Sequence, residues 1–216
     1  MVIIQSGFLT VTTVFFTAKE KLLRENKIVV WRDHDYIHSG IPYKGEYIDG
    51  IFLGMAHKMG WEEKIVPTDI GCLDNTINPG TAYKFNSAVR AKDLSDELIH
   101  RLNFNGIKII GNYDADIKKT AVLFHVFGDA NEAIMNVDKS DVDCLLTMEL
   151  VDFTMMECFR DSAMLNRNLV ALNMSHFNLE EPVMEYLLTY LDEAIGEHVE
   201  AHFVQSGDNY KYITRR

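Results

Sequence analysis

Residues 168–191, NLVALNMSHFNLEEPVMEYLLTYL, constrain the fold more than any other stretch of the chain. Leu169 to Met174 is an apolar run of the length of a buried strand. Ser175 to Glu181 is polar and carries His176, Asn178, Glu180 and Glu181. From Pro182 onward the apolar positions Met184, Leu187, Leu188, Leu191 and Ile195 recur at helical spacing, and Gly196 stops them. Pro182 suits a first helical position, where its missing N–H costs nothing. The spacing therefore predicts strand, short turn, helix. His176 and Glu180 fall in the turn, at the C-terminal end of a strand, where open α/β sheets place their ligands. The plainer alternative is that Glu180 and Glu181 favour a helix N-terminus and His176 is a polar loop residue.

Charge narrows the partners. Lys and Arg total 21 against 32 Asp and Glu, a net charge of −11. Nucleic acid and anionic membranes both require a basic face, so neither is expected as the main partner. The 216 residues, 47% hydrophobic, suffice for one large domain or two small ones. Cys72, Cys144 and Cys158 are scattered and form no CxxC, which reads as a reduced, cytoplasmic chain. Residues 1–18 carry no charged side chain. A signal peptide would need a basic residue before its apolar part, and none is present. The stretch reads instead as a strand Val2–Ile4, a turn Gln5–Gly7 and a β-rich Phe8–Phe16, followed by a helix over Ala18–Lys27.

A second strand-end cluster follows. Ile28 to Trp31 is an apolar strand, and Asp33, His34, Asp35 and His38 come directly after it. Carboxylate oxygen and imidazole nitrogen suit zinc, manganese, iron or nickel, although a hydrogen-bonded polar turn would use the same residues. Two His/acid turns, each behind an apolar strand, converge if the strands share one sheet edge. Elsewhere a helix is expected over Ile48–Met59, with His57 on its surface, and another over Leu94–Leu102. Further strands are expected at Ile107–Ile110, Ala121–Val126, Asp143–Thr147 and Val199–Val204. Helices are expected over 128–137 and Phe153–Ala163. His100 and His125 read as structural. His198 and His202 would be about 13 Å apart on a strand, by its rise per residue, too far to share one ion. Residues 66–80 hold two of the four prolines and dense Gly/Asn punctuation, which suggests a lobe boundary. No P-loop, GxGxxG or GxSxG pattern occurs.

Four stretches in order resemble the Nif-three-like dinuclear-metal family, often labelled GTP cyclohydrolase type-two homologues. They are KIVVWRDHDYIHS with IDGIFLGMAHKMGW, then DVDCLLTMEL, then SHFNLEEPVMEYL, then HFVQSGDNYKYI. The resemblance implies an α/β fold, a mixed sheet flanked by helices, with two lobes and a metal cleft. Residues 1–64 and 120–216 would form the metal-site lobe and 65–119 a smaller middle lobe. His176 and Glu180 match the family's C-terminal His and Glu, and Asp35 matches its bridging carboxylate. His34 and His38 flank Asp35 and are further candidates. The cofactor implied is a divalent transition metal (Zn, Fe, Mn or Ni), one or two ions per chain. The assembly implied is a homo-oligomer, a toroidal hexamer. In the family a ligand pair follows an early strand; here Gln5-Ser6 follow Val2–Ile4, and Thr147-Met148-Glu149 replace a Thr-Gly-Glu. By ligand count this lowers the number of tightly held ions to about one per chain. The function implied is a metal-dependent hydrolase acting on a small molecule. The alternative is a non-catalytic oligomeric scaffold or binding protein that has lost part of the dinuclear site.

Overall fold

The computed structural model describes residues 2–4, 13–70, 80–123, 130–196 and 199–214. In chain order these form β1 (Val2–Ile4), α1 (Val14–Glu25), β2 (Val30–Arg32), α2 (Asp35–His38), β3 (Ile41–Tyr43), β4 (Glu46–Ile48), α3 (Gly50–Met59), β5 (Ile65–Thr68), β6 (Gly80–Arg90), α4 (Ala91–Leu102), β7 (Lys108–Gly111), β8 (Asp116–Leu123), α5 (Asn131–Lys139), β9 (Cys144–Thr147), α6 (Met155–Met164), β10 (Val170–Asn173) and α7 (His176–Ile195).

Six strands make one mixed sheet in the order β5-β6-β8-β9-β10-β7. The β8–β9 and β9–β10 pairs are parallel, and the pairs β5–β6, β6–β8 and β10–β7 are antiparallel. The sheet therefore draws strands from residues 65–119 and from 120–216 alike. β1 and β2 pair in parallel on their own, and β3–β4 is a hairpin.

The short strands β9 and β10 are buried throughout, as expected of strands covered on both faces. Alternation along them builds two cores. Cys144, Leu146, Val170 and Leu172 face a core shared with α3, α4 and α7. Leu145, Leu169 and Ala171 face the other core, with Val137 of α5 and with Met155 and Phe159 of α6. On the first face α3 lies against α7 at backbone contact: a Cβ added to Gly54 would fall 2.5 Å from Val183 Cα. Tyr83 of β6, fully buried, donates its hydroxyl to the Phe52 carbonyl at 2.8 Å and ties α3 to the sheet.

Several boundaries depart from the sequence expectation for local reasons. α7 begins at His176, not Pro182. Ser175 turns the chain at φ 71°, and the Asn178 side chain donates back to the Met174 carbonyl at 3.0 Å. Pro182 thus sits inside the helix and removes one i→i−4 bond. Burial of Leu179 and Val183 outweighs that loss. The β-rich reading of Phe8–Phe16 fails at its end, because Thr13 accepts the Phe16 N–H and starts a helix at Val14. The rest of that reading, with the Gln5–Gly7 turn, lies outside the described residues. No strand forms at 199–204. Residues 199–214 run outside the sheet, tied down by Asn103 to Gln205 and by Asn105 to Asp208 and Tyr210. Among the described residues no helix is long and apolar enough to cross a membrane.

Candidate metal centre

Two adjacent parallel strands deliver the first half of the site. β9 and β10 are in register at Thr147 and Asn173, so their C-terminal ends emerge side by side. Asn173, buried, donates to Thr147 Oγ1 at 3.0 Å and to the Met148 carbonyl at 2.9 Å, which fixes one end against the other. Two residues beyond β9 comes Glu149, and three beyond β10 comes His176. They meet at 2.7 Å, Glu149 Oε1 to His176 Nδ1. One turn along α7, Glu180 brings Oε1 to 2.9 Å from the other ring nitrogen, His176 Nε2.

The second half comes from the segment after β2. His34 precedes α2 and His38 ends it, their rings 4.8 Å apart edge to face. Asp49 Oδ2 lies 2.8 Å from His38 Nδ1, while Asp49 Oδ1 accepts the Ile51 N–H and caps α3. His38 Nε2 lies 3.6 Å from Glu180 Oε1. His34, His38 and Glu180 can each offer one ligand atom, all within 4.8 Å of one another.

The two histidines are therefore held in the same way. A carboxylate engages each Nδ1, and each Nε2 faces Glu180. This is how metal-ligating imidazoles are commonly oriented, with the second ring nitrogen fixed by a carboxylate. Glu180 itself is 2% exposed, and neither of its oxygens has an aligned hydrogen bond among the described residues. A buried carboxylate is costly unless positive charge meets it, and here the His176 and His38 rings face it at 2.9 and 3.6 Å. The two imidazoles of His34 and His38 and the Glu180 oxygen lie close enough to share one ion, and His176 stands against the same carboxylate; zinc, iron, manganese and nickel accept such donors, so the residues present fit such an ion.

The electrostatics express the same convergence. Burial alone would raise the Glu180 carboxyl, but the His176 and His38 rings outweigh it and bring it down to about 2. The Glu180 carboxylate, against the cost of burial, pushes His176 up to about 9, with Glu149 adding to it. Burial works against a charged His38, yet Asp49 and Glu180 overcome it and push it up to about 9. Burial holds Asp49 above the ordinary carboxylate range despite its His38 contact.

Of the residues singled out in the sequence, His34, His38, His176 and Glu180 come together. Asp35 opens α2 beside His34; its side chain is outside the described set, as are Gln5 and Ser6. His57 is exposed and meets Glu62 at 2.8 Å, away from this cluster. His202 is exposed beside Glu200. Sequence reasoning missed Glu149 and Asp49 as partners of the histidines. Glu149 carried a signal, a polar residue just past a buried strand; Asp49 fell within the expected helix Ile48–Met59 and carried none.

The chain is similar to known proteins over most of its length. The model of the family Duf34/NIF3 (NGG1p interacting factor 3) matches residues 20–209. Protein SA1388 of Staphylococcus aureus superposes with a TM-score of 0.66 at 13% identity, over 98% of this chain and 79% of that one. Protein ybgI, of unknown function, gives 0.56 at 16% identity over 87% of this chain and 70% of its own. Reduced HcgD from Methanocaldococcus jannaschii gives 0.52 at 16% identity, over 87% and 66%. At these identities the likeness is one of fold. No match among curated proteins was found.

Proposed function

The chain belongs to the Duf34/NIF3 family, and from that premise we propose that it is a metal-binding protein with a hydrolase-type centre, assembled as a homo-oligomer and most simply a hexamer. His34, His38, His176 and Glu180 hold a divalent transition metal, and Asp35 is the carboxylate that a second ion would require. The observation that carries this reading is the buried Glu180 carboxylate, faced by the Nε2 atoms of His176 at 2.9 Å and His38 at 3.6 Å, with His34 close enough to share an ion.

A divalent ion, if bound by these residues, would supply Lewis-acid chemistry and lower the pKa of a bound water toward neutral. The chain's own contribution is orientation. Asp49 and Glu149 fix the His38 and His176 rings through Nδ1, so that Nε2 is turned toward Glu180 before any ion arrives. Glu180 brings the negative charge, and burial keeps that charge from being screened by water.

The test is metal per chain by elemental analysis. Glu180→Ala and His176→Ala are expected to lose the transition metal of the unmodified protein, while His202→Ala retains it. Equal metal in all three variants refutes the assignment. A non-catalytic oligomeric scaffold is the second reading, favoured by Gln5-Ser6 in the place where the family carries a ligand pair; unmodified protein without bound metal would support it.

A further inference from the structure

Residues 175–182 carry both His176 and Glu180, and the same short stretch gathers features that work against stability. Ser175 lies at φ 71°, in the left-handed region that residues with a Cβ rarely enter. Its hydroxyl is sealed from solvent and has no hydrogen-bond partner among the described residues. Pro182 lies inside α7, beyond its first turn. A proline there has no N–H for the carbonyl four residues earlier, which is that of Asn178, and its ring crowds the same carbonyl. Such a residue bends a helix or breaks its ladder. Costly backbone features of this kind persist where the surrounding structure holds them in place, and they gather at functional sites.

Pro182 stands at the join between two differently anchored parts of α7. After it, Val183, Leu187 and Leu191 are buried, and Val183 meets Gly54 of α3 at backbone contact. Before it, the first turn is fastened to the end of β10. The Leu179 N–H donates to the Ser175 carbonyl at 3.3 Å, and the Asn178 side chain donates to the Met174 carbonyl at 3.0 Å. The pair of His176 and Glu180, four residues apart, would form on any regular helix. The approach of Glu180 to His38 is different, because His38 is tied through Asp49 to the start of α3. The direction of the first turn relative to α3 therefore decides whether Glu180 meets both halves of the site. Pro182 is buried, but burial alone does not call for proline, since an apolar residue with an N–H would keep the bond to Asn178.

We infer that Pro182 is a positioning residue for the metal site: by breaking the helical ladder between Glu180 and Val183 it aims the Glu180 carboxylate at His38 and His34. The inference rests on the metal-binding reading above. The test compares Pro182→Ala with Thr189→Ala, an exposed position further along α7. Two quantities are read: Tm of the metal-free protein by calorimetry, and zinc affinity by competition with a chelator. Pro182→Ala regains the bond to Asn178 and is expected to raise the metal-free Tm by about 2–4 °C. It is expected at the same time to weaken zinc binding about tenfold or more, as loss of an orienting partner does. Thr189→Ala also favours the helix and is expected to raise Tm slightly with zinc affinity unchanged. A role in packing alone would lower Tm and affinity together in Pro182→Ala, and that result overturns the inference. Zinc affinity unchanged or increased in Pro182→Ala overturns it as well, as does an equal loss of affinity in Thr189→Ala. An unmodified protein that binds no zinc overturns the metal reading itself, and the positioning role falls with it.

Discussion

Gly54→Ala is a small change with opposing effects that the structure can weigh. In an isolated helix it would stabilise, because alanine is better than glycine in a helix interior by about 1 kcal/mol. In α3 the new methyl would stand 2.5 Å from Val183 Cα and 2.9 Å from Val183 N and Cβ. Carbon atoms out of bonding contact settle near ~3.5–4.0 Å, so α3 and α7 must part by about 1 Å. The nearest obstacle is backbone, and no rotamer change relieves it. Overpacking of this kind costs about 1–3 kcal/mol, and the rigid contact puts it in the upper half. Subtracting the helix-propensity gain leaves a net loss of about 1–2 kcal/mol. For a chain of this size that lowers Tm by about 2–8 °C. The displacement also reaches the site. Asp49 caps α3 one turn before Gly54, and Glu180 lies on α7 one turn before Val183. Parting the helices draws His38 and its Asp49 partner away from Glu180, so metal affinity falls with stability. Calorimetry in metal-free buffer and a metal titration measure the two effects. A variant whose Tm equals or exceeds that of the unmodified protein would refute the close-contact argument, and unchanged metal affinity would refute the coupling.

Glu149→Gln keeps the shape of the side chain but removes its charge from His176 Nδ1; metal affinity is expected to fall about 10–100-fold with little change in Tm, measured by competition with a chelator. Tyr83→Phe deletes the buried hydrogen bond to the Phe52 carbonyl and is expected to cost about 1 kcal/mol in denaturant unfolding, with metal content unchanged. Added transition metal is expected to stabilise the unmodified protein by about 2.7 kcal/mol at one hundred times the dissociation constant, seen as a higher Tm, and to leave Glu180→Ala unmoved.

The parts of the fold legible in the sequence were those where local pattern and tertiary demand agree. Leu169 to Met174 reads as a buried strand because both faces of β10 are covered, and Asp143–Thr147 reads so for the same reason. α7 was placed six residues late because Pro182 reads locally as a helix start, while burial of Leu179, Glu180 and Val183 against α3 extends the helix backward through it. That shift moved His176 and Glu180 from a turn to one face of a helix, at the i, i+4 spacing that lets them touch. The clustering of His34, His38 and Glu180 was open as an expectation because the two turns are far apart in sequence. What brings them together is the backbone contact of α3 and α7, and Gly54 gives no sign of it until its neighbour is known. Val199–Val204 alternates like a strand, but it pairs with no strand among the described residues; the segment just after it is held at Gln205, Asp208 and Tyr210 by Asn103 and Asn105, which no periodicity encodes.

The order of strands in the sheet sets a timetable for its completion. β7 is made early but has no partner until β10, about sixty residues later, leaves the ribosome; at roughly 5–20 residues per second that is a wait of about 3–12 s. During that interval Ile109 and Ile110 belong to an unpaired segment, while β5, β6 and β8 already hold one another as antiparallel neighbours. The arrival of Val170–Asn173 then does three things in one step. It seats β10 on β9, closes β7 onto the sheet, and leads directly into the helix that carries His176 and Glu180. The nascent chain therefore gains its edge and its metal-binding residues at nearly the same moment.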